Sequence, residues 1–115
     1  MLIVEDEESN SIYIEELMVE FGLRVVNVSS AEDAYSVLAK EKPDLVIMDL
    51  SLPGDDGLKA MKTIKKMNPD IPVVAQTAYS YPYGKDEFLS GGGDGYLSKP
   101  FDKNQMFDML NKLIK

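Results

Sequence analysis

The 115-residue chain contains neither cysteine nor histidine. Without cysteine there is no disulfide and no thiolate metal centre, and without histidine the commonest general base and the usual zinc ligand are missing. Any chemistry must run on carboxylates, hydroxyls, lysine or a hard cation. Long apolar runs are missing as well. None approaches the length that spans a bilayer, and Met1 to Val4 is too short and too soon followed by acids to be a signal peptide. Positive charge is scarce: Lys and Arg total 12 against 20 Asp and Glu, a formal charge of −8 that repels phosphate backbones and argues against direct nucleic-acid binding. A soluble, cytoplasmic domain with no membrane contact of its own is expected.

What is present is a globular composition, 44% hydrophobic and 28% charged, at a length that suits one domain over residues 1–115 with one core. Leu2 to Val4 reads as a buried strand ending in the acids Glu5 to Glu8. Ile14, Leu17, Met18 and Phe21 mark one face of a helix from Ser9 to Phe21, stopped by Gly22. Arg24 to Val28 is a second strand, and Ser30 caps a helix whose inner face is Ala31, Ala34, Tyr35 and Leu38. Leu45 to Met48 is continuous apolar sequence running into Asp49, as in a central strand covered on both faces. Pro53, Gly54 and Gly57 make a turn-rich loop, after which Leu58, Met61 and Ile64 mark a third helix that stops near Asn68. Ile71 to Ala75 is the fourth strand, Asp86 to Ser90 a short fourth helix, and Tyr96 to Ser98 the fifth strand. Asp102 and Gln105 suggest a capping box on a last helix with Met106, Leu110, Leu113 and Ile114 inward.

Five strands alternating with five helices predict an α/β, doubly wound, five-stranded parallel sheet of flavodoxin-like order 2-1-3-4-5. In such sheets ligands sit outside the carboxyl ends of the strands. Strand one delivers Glu5 and Asp6 there, strand three Asp49, strand four Thr77 and strand five Lys99. Three carboxylates would all ionise near neutral pH and repel one another in a partly buried cleft, so a hard divalent cation is expected to compensate them. A carboxylate nucleophile, a metal, a hydroxyl and a lysine are the parts that phosphoryl transfer needs.

Each of these residues also has a plain structural reading. Glu5 to Glu8 alone is a solvated acidic turn, Asp49 alone a turn cap, Thr77 a strand residue, Lys99 a solvated side chain and Tyr96 part of the core. Convergence on one edge of one sheet is what favours chemistry. Gly91-Gly92-Gly93-Asp94-Gly95 leads into a strand and so is not a dinucleotide fingerprint, which lies between a strand and a helix.

The motifs Val4-Glu5-Asp6-Glu7, Asp49-Leu50-Ser51-Leu52-Pro53 with Gly57, Thr77-Ala78, and Tyr96-Leu97-Ser98-Lys99-Pro100-Phe101 occur in this order, each at a strand end. In them the chain resembles the response regulator receiver domains over essentially its whole length. The resemblance implies that Asp49 is the phosphoacceptor, with Mg²⁺ held by Asp6, Asp49 and the backbone carbonyl of Ser51, and by Glu5 through water. It implies that Thr77 hydrogen-bonds a phosphoryl oxygen, that Lys99 pairs with it, and that Thr77 and Tyr96 form the switch. The Lys99-Pro100 bond resembles one commonly cis in this family. Glu5 keeps the charge of the Asp more frequent at its position and moves it outward.

The resemblance further implies a phosphohistidine donor on a histidine kinase or histidine phosphotransfer domain. It implies a change of the face formed by the fourth helix, fifth strand and fifth helix, and a weak homodimer through that face. No turnover enzyme is expected, only self-phosphorylation and slow dephosphorylation. A magnesium phosphohydrolase with an aspartyl nucleophile would carry a second Asp two residues on, where this chain has Ser51. A receiver-like module that is not phosphorylated would lack an acid, the threonine or the lysine, and none is lacking. Tyr79 is expected to shield the acyl phosphate from water. The glycines at 91 to 93 predict that the fourth helix and the loop before it exchange amide hydrogens faster than the central strands. The domain is expected to stand alone or to be the receiver of a hybrid sensor kinase, whose wording Ala75-Gln76-Thr77-Ala78-Tyr79 resembles.

Overall fold

The structure is a computed structural model that describes residues 1–5, 7–50, 57–77, 85–98 and 101–114. Its elements alternate as β1 (Leu2–Val4), α1 (Glu8–Phe21), β2 (Val26–Val28), α2 (Ala31–Lys40), β3 (Val46–Asp49), α3 (Gly57–Met67), β4 (Val73–Thr77), α4 (Lys85–Ser90), β5 (Gly95–Ser98) and α5 (Lys103–Leu113). All strand pairs are parallel, in the order β2-β1-β3-β4-β5. The expected topology is therefore the one formed.

Side-chain alternation along the strands sorts the core into two layers. Leu2, Val4, Val46, Met48, Val73 and Ala75 face α2, α3 and α4. Ile3, Ile47, Val74 and Leu97 face α1 and α5. With helices on both sides, every residue of β1, β3 and β4 is buried, which is why these strands read as unbroken apolar runs. β2, at the edge, is mostly exposed.

Local signals act as expected at several ends. Gly22 closes α1 in the left-handed region at φ 99°. Ser30 caps α2 by accepting from the Asp33 N–H at 3.2 Å, and Asp102 with Gln105 forms the capping box of α5. Two strands start two residues later than expected. The second strand begins at Val26, not Arg24. The fourth runs over Val73–Thr77 instead of Ile71 to Ala75, because Pro72 has no N–H for a ladder and the Ile71 N–H turns back to the Asn68 carbonyl at 3.3 Å. The shift brings Gln76 and Thr77 inside the strand.

At the opposite edge of the sheet from the candidate site, Asp94 ties three segments together. Its Oδ2 accepts from the Val73 N–H at 2.9 Å and from Lys65 Nζ at 2.9 Å, while Lys65 also donates to the carbonyls of Pro69 and Ile71. The ion pair is partly exposed, at 21% and 31%, and contributes little by itself. The backbone donor decides the energetics, since leaving it unmatched costs about 1–3 kcal/mol. Asp94→Ala is therefore expected to destabilise by that amount in chemical denaturation and Asp94→Asn, which keeps an acceptor, by clearly less; equal losses would mean that charge, not the acceptor, matters.

Candidate functional site

The site is built where the strand order reverses, between β1 and β3. Val4 pairs with Met48 in the ladder, and one residue further along each strand stand Glu5 and Asp49. Both carboxylates are nearly enclosed, at 3% and 4% exposure. Asp49 is in register with Gln76 of β4, and the Leu50 N–H donates to the Gln76 carbonyl at 3.2 Å, so the backbone just past Asp49 is held by its neighbouring strand. Thr77, 1% exposed, ends β4 and pairs with Ser98, the residue before Lys99.

Buried carboxylates require partners. Glu5 has them: Oε1 accepts from Asn10 Nδ2 and from Gln76 Nε2, the latter at 3.0 Å, and Oε2 accepts from the Glu7 N–H at 3.2 Å. Asn10 Nδ2 also donates to Gln76 Oε1 at 2.9 Å. Glu5 therefore does not reach outward, as its extra methylene suggests, but is drawn in under the first turn of α1. Asn10 and Gln76 escape a reading based on strand-end acids. The signal that could have found them is an amide in an otherwise apolar strand, Val73-Val74-Ala75-Gln76.

Tyr96 pairs in register with Ala75, so alternation puts it on the same face of the sheet as Thr77. It is half-buried, with its ring 6.2 Å from that of Phe88 at an angle of 58°. Burial, and secondarily the charge of Glu87, pushes its phenol above the ordinary value of 10.0. Phe88 is a fully buried anchor in the short helix α4. The fourth helix thus has a fixed point that the glycine-rich sequence after it does not suggest. Asp6, Ser51, Lys99, the Lys99-Pro100 bond, Tyr79 and the loop before α4 lie outside the described residues. Among the described residues no three acids gather as a metal site, Asp6 not being one of them.

The profile of the family described as "Response regulator receiver domain" matches residues 1–111. The chain belongs to this family. Among curated relatives, the receiver is 32% identical over 117 residues to the sensor protein GacS of Pseudomonas syringae pv. syringae, covering 97% of this chain and 13% of that one. It is 30% identical over 114 residues to sporulation initiation phosphotransferase F of Bacillus subtilis, covering 99% and 92%. Among solved structures, the receiver domain of sensor histidine kinase PA1611 of Pseudomonas aeruginosa PAO1 superposes with a TM-score of 0.88 at 30% identity, over 98% of this chain and 94% of that one. That structure has a magnesium ion coordinated in its active-site cleft. The receiver domain of Francisella response regulator 1452 gives 0.87 at 26% identity, over 97% and 93%. The receiver is thus similar both to the small part it spans of a large sensor protein and to nearly the whole of a short phosphotransferase. No helix among its described residues is long and apolar enough to cross a membrane.

Proposed function

We propose that this receiver takes a phosphoryl group onto Asp49 from the phosphohistidine of a histidine kinase or phosphotransfer domain. The observation that carries the reading is the pair of nearly enclosed carboxylates, Glu5 and Asp49, on adjoining strand ends at the switch point of a parallel sheet. Such a donor set fits a hard cation with oxygen ligands. Asp6, Asp49 and the Ser51 carbonyl would hold Mg²⁺ directly, and Glu5 through water. When bound there, Mg²⁺ supplies charge neutralisation for the phosphoryl oxygens.

The chain's own groups do the rest. The carboxylate of Asp49 attacks phosphorus, and the histidine nitrogen leaves. Thr77 donates its hydroxyl to a phosphoryl oxygen, Lys99 pairs with that oxygen, and Tyr96, sharing the face of Thr77, follows the hydroxyl. Because Tyr96 packs on Phe88 of α4, such a movement reaches the α4–β5–α5 face, the surface for output and for a weak homodimer. A storage role, without turnover, agrees with Ser51 standing where a hydrolase needs a second acid. The acidic surface agrees with protein partners rather than nucleic acid, and with a cytoplasmic setting.

Incubation with a small acyl phosphate and Mg²⁺ is expected to add one phosphoryl group by intact mass, and none in Asp49→Ala or after chelation. Continuous release of phosphate at many turnovers per chain would replace this reading with that of a hydrolase.

A further inference from the structure

Gln76 is completely buried in the central strand β4, yet it is an amide. An unmatched amide there would be costly, and this one is matched at both ends: Nε2 donates to Glu5 Oε1 at 3.0 Å, and Oε1 accepts from Asn10 Nδ2 at 2.9 Å. Asn10 closes the ring by donating to the same Glu5 oxygen. Three side chains from three elements, the end of β1, the first turn of α1 and the end of β4, thus satisfy one another. Folding alone does not ask for this ring. An apolar side chain at position 76 would continue the Val73-Val74-Ala75 run, and replacing a buried polar cluster by apolar groups is close to neutral for stability.

What the ring does achieve is to immobilise Glu5. A glutamate has one more rotatable bond than an aspartate and would otherwise sample several positions for its carboxylate. Two amide donors on Oε1 and the Glu7 N–H on Oε2 take that freedom away with charge-assisted hydrogen bonds. The residue that closes the ring from β4 is also the ladder partner of Asp49, and its own carbonyl holds the Leu50 N–H. One residue therefore sets the outer acid through its side chain and the backbone past the phosphoacceptor through its main chain.

We propose that Asn10 and Gln76 are positioning residues that hold the Glu5 carboxylate for the cation side of the phosphoryl site. The proposal rests on the reading of Glu5 as the water-mediated magnesium acid. The test is a calorimetric Mg²⁺ titration of the full chain and of Asn10→Ala, Gln76→Leu and Glu5→Ala, with each of the first two also combined with Glu5→Ala. Thermal denaturation in chelator runs alongside. Asn10→Ala and Gln76→Leu are expected to weaken Mg²⁺ binding on the order of 10-fold, as residues behind metal ligands do, and to add nothing once Glu5 is alanine. Gln76→Leu leaves Glu5 and Asn10 each one partner short and should unfold in chelator below the parent temperature, so binding is titrated well below the unfolding transition of every variant. If Glu5→Ala weakens binding while Asn10→Ala and Gln76→Leu bind like the parent, the positioning role is wrong and the reading of Glu5 stands. If both weaken binding equally with Glu5 present or absent, their effect does not pass through Glu5 and the proposal fails. Unchanged binding in Glu5→Ala removes the reading of Glu5 itself, and the proposal with it.

Discussion

Gly57→Ala is expected to lower stability by about 3 kcal/mol or more and to slow phosphorylation of whatever fraction folds. A Cβ at position 57 would stand within 2.7 Å of three backbone atoms of Leu50. Backbone in the middle of a close-packed domain cannot move aside as the end of a long side chain can. The two residues are also bonded directly, with the Gly57 N–H donating to the Leu50 carbonyl at 3.2 Å, while the Leu50 N–H is held by Gln76. Pushing Leu50 away therefore strains the chain at the residue after Asp49. A displacement of about 1 Å in a reacting carboxylate can cost on the order of 100-fold in rate. Denaturant midpoints and the initial rate of acyl-phosphate labelling check both parts. Gly91→Ala is the control, because a Cβ there meets the flexible ends of Lys62 and Met61 and the Glu87 carbonyl at 3.2–3.3 Å, so its loss should be clearly smaller. Equal losses at positions 57 and 91 would show that lost glycine freedom, not contact with Leu50, is responsible.

The second large effect concerns α4. Phe88→Ala should cost about 3–5 kcal/mol, the usual loss for a fully buried phenylalanine. Gly93→Ala should also be strongly destabilising, because its Cβ would lie within 2.7 Å of three atoms of the Phe88 ring, which is itself enclosed by the core. Both effects have one cause, so they should not add. In Phe88→Ala/Gly93→Ala the new methyl enters space the ring has vacated, and the double variant should be more stable than the sum of the singles by roughly 2 kcal/mol. Strict additivity in denaturant titrations would mean that position 93 is restricted by something other than Phe88. A six-residue helix cannot persist on hydrogen bonding alone, so Phe88→Ala should also raise amide exchange throughout α4 well above its already fast expected rate.

Some of the glycine-rich sequence between α4 and β5 thus has a steric reason. Gly92 adopts φ 115°, a conformation that L side chains rarely take, and Gly93 clears the Phe88 ring. From sequence these glycines suggest only disorder gained in the unfolded chain. The contact that requires one of them is with a residue five positions away across a helix end, and no periodicity reports it.

The sequence by itself determined the alternation of strands and helices, the burial of the central strands and the list of acids, hydroxyl and lysine that follow strand ends. Those are consequences of local chemistry: which residues repeat at two or at 3.6, which lack an N–H, which can cap. It was less able to place β4, whose start depends on where Pro72 lets the ladder begin. Only the tertiary structure decided what the Glu5 carboxylate touches. Its partner Gln76 is 71 residues away in sequence, and the amide of Asn10 reaches both. A hydrogen-bond ring of that kind exists only once β1, β4 and α1 are packed, because Glu5 and Gln76 are costly buried polar groups until they meet each other and the half-buried Asn10.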